Sequence, residues 1–510
     1  MRQVAIPVSY APQVAIGLLL FVAILACLRF INLDADFPLD ATWSGVLFSD
    51  EGWYTNSAVR HFVYGQWYLD GDFNPIINMP LGQLVHRLSY SIFGLGLFSA
   101  RVSAALCIVV AIAFTALIVR RHFGDWAGLL TAVILISNYQ IFAFSRLAIM
   151  EPLGLSVAMA GIFLADQVRG KWAMLGLTAA SLIVAAATLA KSSMLFAVPV
   201  IAYFAWANAE NRRERIVFPL FCLGLTLLLI GGYQLIMQHF FSADYALFRR
   251  TNFDERHVIG VLGWLINLVR KLWQMLQLGV PFLAVAAVLI VAAGVVSASF
   301  RRSPLVHAFV IWGVVYYFMM TPVWYGPPRY FLPLLIPLSG LMAIATVEGT
   351  NWLREDRRYS RFTVVPAILV AFLVVTGTVR IVNYMANPSF SFLQMTKGVG
   401  DIIVRREGNL SNVIVFGDIA DSVAIETGFR SMNTMLVTTP LVERLKDYHP
   451  RYLILHVHDK DVVSAVESVG GRVTEIGAWD VYENFYGDGQ QVELVGVDWG
   501  EGAASPGPAR

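Results

Sequence analysis

The sequence predicts a polytopic α-helical membrane protein with a small α/β domain at its C-terminal end. The 510 residues are 57% hydrophobic and only 14% charged, and their mean hydropathy is +0.63. Soluble globular proteins carry roughly 25% charged residues. The net charge of +2 is too small to favour a nucleic-acid partner. These observations indicate a chain that lies largely in a lipid bilayer.

About eleven apolar runs have the roughly 20-residue length that a helix needs to cross a bilayer. The runs at 151–167 and 193–208 are short for a span, so the count carries an uncertainty of one or two. We read the first run as a retained span, because no small-residue cleavage site follows it. The runs are 12–32, 99–119, 125–144, 151–167, 172–190, 193–208, 216–238, 275–298, 305–321, 330–348 and 362–384.

Basic residues set the predicted orientation, because short loops rich in Lys and Arg stay in the cytoplasm. Every short loop on one side contains arginine, including Arg120 and Arg121 after the second run. The first loop (33–98), the loop 239–274, the loop 322–329 and the C-terminus then lie outside. The loop 239–274 contains Arg249 and Arg250 against this bias. Either a bound anion accounts for these arginines, or a long loop escapes the rule.

The composition changes after residue 387. Residues 412–416 and 452–456 read as short buried strands, and 395–407, 440–447 and 461–469 have helical spacing. We therefore predict a membrane domain at 1–386, an α/β domain at 387–499 and a disordered tail at 500–510. No G-x-G-x-x-G follows the first strand, so a nucleotide site is unsupported. Cys27, Cys107 and Cys222 lie in apolar runs and form neither a disulfide framework nor a zinc site.

The stretch from Ser49 to Tyr54 carries the most chemistry in the chain. Asp50 and Glu51 are adjacent carboxylates followed by Trp53, and helical spacing continues to Val63. This pattern predicts an amphipathic helix on the membrane surface. A carboxylate beside low-dielectric material can be tuned as a general base. The alternative is an ordinary solvated pair of loop charges.

The first loop resembles that of the polyprenol-phosphate-dependent glycosyltransferases with the C-type membrane fold, and above all the protein O-mannosyltransferases and the bacterial aminoarabinose transferases of lipid A. Asp50 and Glu51 match the acid pair of that family. The matches that follow in order are Tyr54, Arg60, Gly65-Gln66-Trp67, Pro80-Leu81, Phe93-Gly94 and Ala100-Arg101. One place differs, since Ile77-Asn78-Met79 stands where aminoarabinose transferases carry an acid–lysine pair. This chain therefore lacks the charges through which that pair would contact a phosphate or a metal.

Three later motifs extend the resemblance over about residues 12–384. The stretch 145–152, with Arg146 and Glu151, is similar to an arginine-to-acid motif of the family. Lys191 looks like the lysine that ends its fifth span. The stretch 328–333, with Arg329 and Tyr330, is similar to its late Arg-Tyr-x-x-Pro motif. The resemblance implies the same fold and an active site on the outer face of the cell membrane.

The resemblance implies inverting transfer of one sugar from a polyprenyl-phosphate donor to a hydroxyl of a protein or glycolipid. Asp50 would be the base, and Glu51 would orient Asp50 or the acceptor. We expect Lys191, Arg329, Arg249 and Arg250 to bind the donor phosphate, because arginine forks suit that anion. Tyr54, Arg60, Arg146, Glu151 and Tyr330 would support the site. No cofactor is certain; a divalent metal is possible, although no ligands cluster around His257.

Other interpretations of the same residues remain open. Lys191 and Arg329 can snorkel to lipid headgroups, and Arg146 and Glu151 can simply pair with each other. A transporter or flippase of lipid-linked sugars needs the same cationic rim, but it has little use for a base at Asp50, and matched broken helices are not evident. A scaffold with an outer binding domain would not need the charged rim.

Overall fold

The computed structural model describes residues 11–42, 47–355, 358–410, 413–435, 437–456, 460–483 and 489–500. Of the predicted disordered tail, residues 501–510 lie outside these ranges, as does Asn412 at the start of the first predicted strand.

Helices form almost all of the described chain before residue 387. Each of the eleven predicted apolar runs corresponds to a helix or to two consecutive helices. The bounds are α1 (Ala11–Leu28), α2 (Leu47–Tyr64), α3 (Pro80–Phe93), α4 (Leu97–Phe123), α5 (Asp125–Ser137), α6 (Tyr139–Phe144), α7 (Met150–Gln167), α8 (Ala173–Ala190), α9 (Ala197–Ala207), α10 (Glu214–Phe240), α11 (Ser242–Arg249), α12 (Gly260–Met275), α13 (Val280–Val296), α14 (Ala298–Arg302), α15 (Pro304–Met320), α16 (Leu332–Glu355) and α17 (Val365–Ala386).

Several of these helices can cross a membrane. Among the described residues, five helical segments are long and apolar enough. The pair Gly260–Leu278 and Val280–Val296 is bent by 105° and is either a sixth, broken span or a re-entrant loop. Four more apolar helices are shorter: Pro12–Leu28, Asp125–Ser137, Ser192–Ala207 and Pro304–Met320. The chain is therefore an integral membrane protein, as predicted, while the number of eleven spans stays a prediction.

Small residues let the membrane helices approach one another closely. A Cβ atom on Gly161 of α7 would lie 2.7 Å from a methyl carbon of Val184 on α8, so only glycine fits there. Close approach through small residues is the usual means of helix packing in lipid. Lipid tails are as apolar as the helix surfaces, so van der Waals contact and not the hydrophobic effect holds the helices together. This packing gives the segments between the helices fixed positions.

The first loop contains two helices, as the apolar spacing after Asp50 predicted for α2. Pro80 begins α3 at a position where its missing N–H costs nothing. Polar side chains of α2 are buried, among them Thr55 and Asn56. An amphipathic surface helix would expose such residues, so a further part of the protein must cover α2.

The cover is the C-terminal domain, which contains α18 (Ser391–Glu407), α19 (Ala420–Thr427), α20 (Leu441–Tyr448) and α21 (Lys460–Ser468). Its five-stranded sheet has the order β2-β1-β3-β5-β4. The strands are β1 (Ile414–Phe416), β2 (Arg430–Met432), β3 (Tyr452–His456), β4 (Arg472–Glu483) and β5 (Gly489–Asp498). β1 pairs in parallel with β2 and β3, whereas β5 is antiparallel to β3 and β4. A small sheet with helices is thus present in the part of the chain where the sequence predicted an α/β domain.

The C-terminal domain packs directly on the first loop. Ala58 and Val59 of α2 belong to the same buried apolar cluster as Val423 and Ile425 of α19. The backbones approach so closely that a Cβ on Gly52 would lie 2.3 Å from the Ser422 nitrogen. The helix that carries Asp50 is therefore held between the membrane helices and the C-terminal domain.

Candidate active site

A cavity of about 330 Å³ lies between α2, the ends of α7 and α8, α11 and the segment before α16. Its charged lining residues are Asp50, Glu151, Lys191, Asp244, Arg256 and Arg329. Apolar and aromatic side chains complete the wall, including Trp53, Tyr54, Phe73, Phe248, Tyr316, Met319, Met320 and Tyr330. Converging charges in an apolar pocket are typical of a ligand site.

Asp50 and Arg329 form the centre of this cavity. Arg329 Nη1 lies 2.7 Å from Asp50 Oδ2, and the two side chains are 4% and 13% exposed. Arg329 stands on the short 3₁₀ helix Pro328–Phe331, where two prolines fix the approach of the chain. Burial raises the pKa of the Asp50 carboxyl, and the charges of Arg329 and Lys191 oppose this rise. The Asp50 carboxylate is thus more basic than an ordinary aspartate, and its cationic neighbours favour its ionised form.

Lys191 caps the C-terminal end of α8 and points at the same centre. Its Nζ donates to the Tyr54 hydroxyl over 2.8 Å and lies 3.2 Å from Glu151 Oε1. It also lies over the rings of Tyr54 and Tyr330. The structure therefore brings together five predicted site residues around Asp50, namely Tyr54, Glu151, Lys191, Arg329 and Tyr330.

Glu51 lies outside the cavity, although it follows Asp50 directly. It is fully buried, and its carboxylate accepts two hydrogen bonds from Arg101, at 2.7 and 2.6 Å. It also accepts the backbone N–H of Ala148 at 2.8 Å. Glu51 therefore fastens α2 to α4 and to the segment before α7. This burial does not support a direct contact between Glu51 and an acceptor.

Arg146 and Arg60, which the resemblance assigned to site support, lie outside the cavity. Arg146 donates to the carbonyl oxygens of residues 28, 29, 31 and 32, at the end of the first span. The alternative in which Arg146 pairs with Glu151 is wrong, because Glu151 lies beside Lys191 instead. Arg60 forms a buried ion pair with Asp72. Neither arginine lines the cavity.

Arg249 and Arg250 do not line the cavity either. Both are exposed, and Arg250 Nε lies 3.3 Å from Glu255 Oε1 on the surface. Arg256 of the same loop lines the cavity instead, and its Nη1 donates to the Tyr330 hydroxyl at 3.3 Å. Arg249 and Arg250, which the sequence predicted as phosphate ligands, therefore lie outside the cavity, and Arg256 lines it. The periodicity of α11 turns Arg249 away, and the sequence alone did not show where that helix ends.

The described residues contain no group of three or more His, Cys, Asp or Glu side chains that could hold a metal ion. His257 lines the cavity but belongs to no such group among these residues. The possible divalent metal therefore has no support from these side chains.

A buried polar network joins α2 to the C-terminal domain, and it was not predicted. Asp72 is fully buried and accepts hydrogen bonds from Arg60, from Arg444 and from the backbone N–H of Asn433. Asp421 accepts from Asn56 of α2 at 2.9 Å. The bonds that cross to the C-terminal domain join residues more than 350 positions apart, so no local sequence pattern reveals them.

The chain is similar to known proteins in part of its sequence and in its fold. Residues 75–233 match the family model described as dolichyl-phosphate-mannose-protein mannosyltransferase. A search of curated proteins gave no significant match. ArnT from Cupriavidus metallidurans, solved with undecaprenyl phosphate, aligns at 15% identity over 96% of this chain and 99% of its own, with a TM-score of 0.59. The predicted resemblance is confirmed.

A second solved structure shows the same fold. The archaeal oligosaccharyltransferase AglB from Archaeoglobus fulgidus, in complex with an inhibitory peptide and a dolichol-phosphate, is 13% identical and aligns over 97% of this chain and 75% of its own, with a TM-score of 0.54. At this identity, the two structures establish the fold alone. The family match adds the enzyme class, glycosyltransferase, that the sequence predicted.

Proposed function

We propose that this protein transfers one sugar from a polyprenyl-phosphate donor to a hydroxyl group of a protein or glycolipid, with inversion at the anomeric carbon. The observation that carries the proposal is the buried Asp50, held by Arg329 in a cavity that also contains Lys191. One wall of this cavity belongs to membrane helices and another to the first loop. A lipid-linked donor and a polar acceptor can meet only at such a boundary.

Asp50 is the base of the proposed reaction. Its carboxylate takes the proton of the acceptor hydroxyl while that oxygen forms a bond to the anomeric carbon of the sugar. The bond between the anomeric carbon and the phosphate oxygen breaks, and polyprenyl phosphate leaves with the electron pair from the opposite face. The raised pKa of Asp50 suits this role, because a base works best when its pKa approaches the working pH.

Lys191 and Arg329 stabilise the charge that develops on the leaving phosphate. Lys191 donates to Tyr54, and Arg329 Nε is buried without a hydrogen-bond partner in the described part of the chain. A buried donor without a partner costs about 1–3 kcal/mol, so a ligand oxygen is the expected partner. Arg256 of the loop 239–274 adds a further cation to the lining and donates to Tyr330, the residue after Arg329. Preorganised donors of this kind often supply the largest part of catalysis.

The proposed location of the reaction is the outer face of the cell membrane. The basic loops predict this orientation, and α2 and the C-terminal domain share one side because they pack on each other through Gly52 and Ser422. The C-terminal domain then lies beside the acceptor path. It would position the acceptor and would close the polar side of the cavity.

The proposal is tested with purified protein in proteoliposomes and a panel of undecaprenyl-phosphate sugars carrying a radiolabel. Membranes and proteins from a strain that lacks the gene supply acceptors. Transfer of label to protein or glycolipid, with release of undecaprenyl phosphate, is expected for at least one sugar. Movement of intact donor across the bilayer without release of undecaprenyl phosphate would favour the flippase alternative.

A further inference from the structure

The carboxylate of Glu151 has no hydrogen-bond partner in the described chain. Glu151 is the second residue of α7, its side chain is 1% exposed and it lines the cavity. Neither Oε1 nor Oε2 accepts a hydrogen bond, although Lys191 Nζ lies 3.2 Å from Oε1. Native proteins rarely leave buried carboxylate oxygens without donors. A ligand that brings its own hydrogen-bond donors would remove this deficit.

The charge around Glu151 decides what kind of donor fits. Lys191 already supplies a positive charge at ion-pair distance. Arg329 lines the same cavity, so a second ammonium group beside Glu151 would meet two cations. Neutral hydroxyl groups meet no such repulsion. A carboxylate accepts hydrogen bonds only, and its two oxygens can accept from two neighbouring hydroxyls at once.

Trp53 offers the complementary polar atom in the same cavity. Its indole Nε1–H is buried without a hydrogen-bond partner in the described chain, and its ring lines the cavity beside Phe73, with the ring centroids 6.2 Å apart. Two free acceptors, one free donor and an aromatic face match the surface of a sugar ring. The volume of about 330 Å³ is near the lower end for ligand pockets, which suits one sugar rather than a longer glycan.

We propose that Glu151 binds two neighbouring hydroxyls of the donor sugar and that this sugar is a neutral monosaccharide rather than an amino sugar. The inference rests on the proposed function, because it assumes that the cavity receives the sugar of a lipid-linked donor. Glu151 is then a specificity residue. It sets which donor is used, while Lys191 and Arg329 bind the phosphate that all such donors share.

The test compares binding of plain undecaprenyl phosphate with binding of undecaprenyl phosphate that carries neutral hexoses, neutral pentoses, their single-deoxy analogues or amino sugars. Wild type should bind at least one neutral sugar donor more tightly than the plain lipid. Glu151→Gln should weaken binding of that donor about 10- to 100-fold, which is the effect expected from loss of a hydrogen bond to a charged group. It should weaken binding of the plain lipid much less than binding of the sugar donor, and the plain-lipid binding that remains also shows that the variant folds.

Further variants separate recognition from structural damage. Removal of one contacted hydroxyl from the donor should weaken its binding to wild type about tenfold. The same removal should weaken binding to Glu151→Gln little further, since that variant has already lost the carboxylate that accepts the hydroxyl's hydrogen bond. Glu151→Asp should recover part of the binding, because it keeps the charge beside Lys191. Trp53→Phe keeps an aromatic ring and removes the N–H, so we expect it to weaken donor binding less than Glu151→Gln does. Glu348→Gln changes a carboxylate of α16 outside the cavity and should have no effect.

Each remaining outcome contradicts a defined part of the account. Preference for an amino sugar, or equal weakening of plain lipid and sugar donors in Glu151→Gln, overturns the role of Glu151. If the plain lipid binds well and no sugar donor binds more tightly than it, the cavity does not recognise the sugar and the inference is wrong. If neither plain lipid nor any donor binds, the proposed function itself fails.

Discussion

Asp50 and Arg329 lie in different motifs far apart in the chain, yet Arg329 Nη1 and Asp50 Oδ2 are 2.7 Å apart in the cavity. The pair has two consequences. It holds the proposed base in one orientation, and it leaves Arg329 Nε free of partners in the described chain. One guanidinium can thus contact both the base and the leaving phosphate.

The first prediction concerns the geometry of this guanidinium. Arg329→Ala should lower the transfer rate about 10²- to 10³-fold, the usual cost of losing one preorganised donor. Arg329→Lys should restore only part of the rate, because lysine is a point charge and cannot contact two groups in a fork. The measurement is the rate against donor concentration for the three proteins. Equal rates for arginine and lysine would mean that Arg329 only provides charge.

The second prediction concerns the pH dependence of transfer. Burial raises the pKa of Asp50, and a base must be unprotonated. The rate should therefore fall, as the pH is lowered, at a pH above the ordinary aspartate value of about 3.9. Arg329→Gln removes a charge that lowers this pKa, so the acid limb should move to higher pH. The profile of kcat/KM shows this shift, and Arg354→Gln, an exposed arginine of α16, is the control.

The third prediction concerns the contact between α2 and the C-terminal domain. Ala normally stabilises a helix by about 1 kcal/mol relative to Gly. A Cβ on Gly52, however, would lie 2.3 Å from the Ser422 nitrogen and 2.6 Å from the Asp421 carbonyl carbon. Gly52→Ala should therefore lower both the melting temperature in detergent and the transfer rate. Gly349→Ala meets no atom within 4 Å and should be neutral or stabilising; equal behaviour of the two variants would contradict the close contact.

The fourth prediction concerns the buried network around Asp72. Removing one partner of a buried ion pair costs about 3–5 kcal/mol, because the remaining charge stays buried. Asp72→Asn leaves Arg60 and Arg444 without their carboxylate, so it should clearly lower the melting temperature. Asp125→Asn breaks the exposed pair with Arg120 and should change it little. A stable Asp72→Asn protein would show that the domain is held by apolar contacts instead.

The local chemistry of the sequence predicted part of the cavity, including its charged residues Asp50, Glu151, Lys191 and Arg329. The acid pair, the lysine after α8 and the arginine between prolines each stand beside a helix end, where charges at a membrane need a partner. That reasoning places Asp50, Lys191 and Arg329 together, as the structure does. It does not show which of Asp50 and Glu51 faces the cavity. A helix turns about 100° per residue, and only tertiary packing decides which of the two carboxylates contacts Arg101.

The C-terminal domain was harder to predict. β1 and β3 are short buried strands with apolar runs, which the sequence shows. β4 and β5 alternate polar and apolar residues, and β4 has a register shift between Glu475 and Gly477, so their pattern is weak. The contact of this domain with α2 depends on partners such as Asp72 and Arg444 that lie far apart in sequence. No periodicity encodes such a pair.

The most direct test of the central claim is the transfer rate of Asp50→Asn, measured with the donor that wild type uses. Binding of undecaprenyl phosphate is measured on the same preparation, to show that the protein is folded. We predict a loss of at least about 10²-fold in rate with donor binding largely retained, because loss of a general base typically costs 10²- to 10⁴-fold. A variant that retains more than roughly a tenth of the wild-type rate would contradict the assignment of Asp50 as the base.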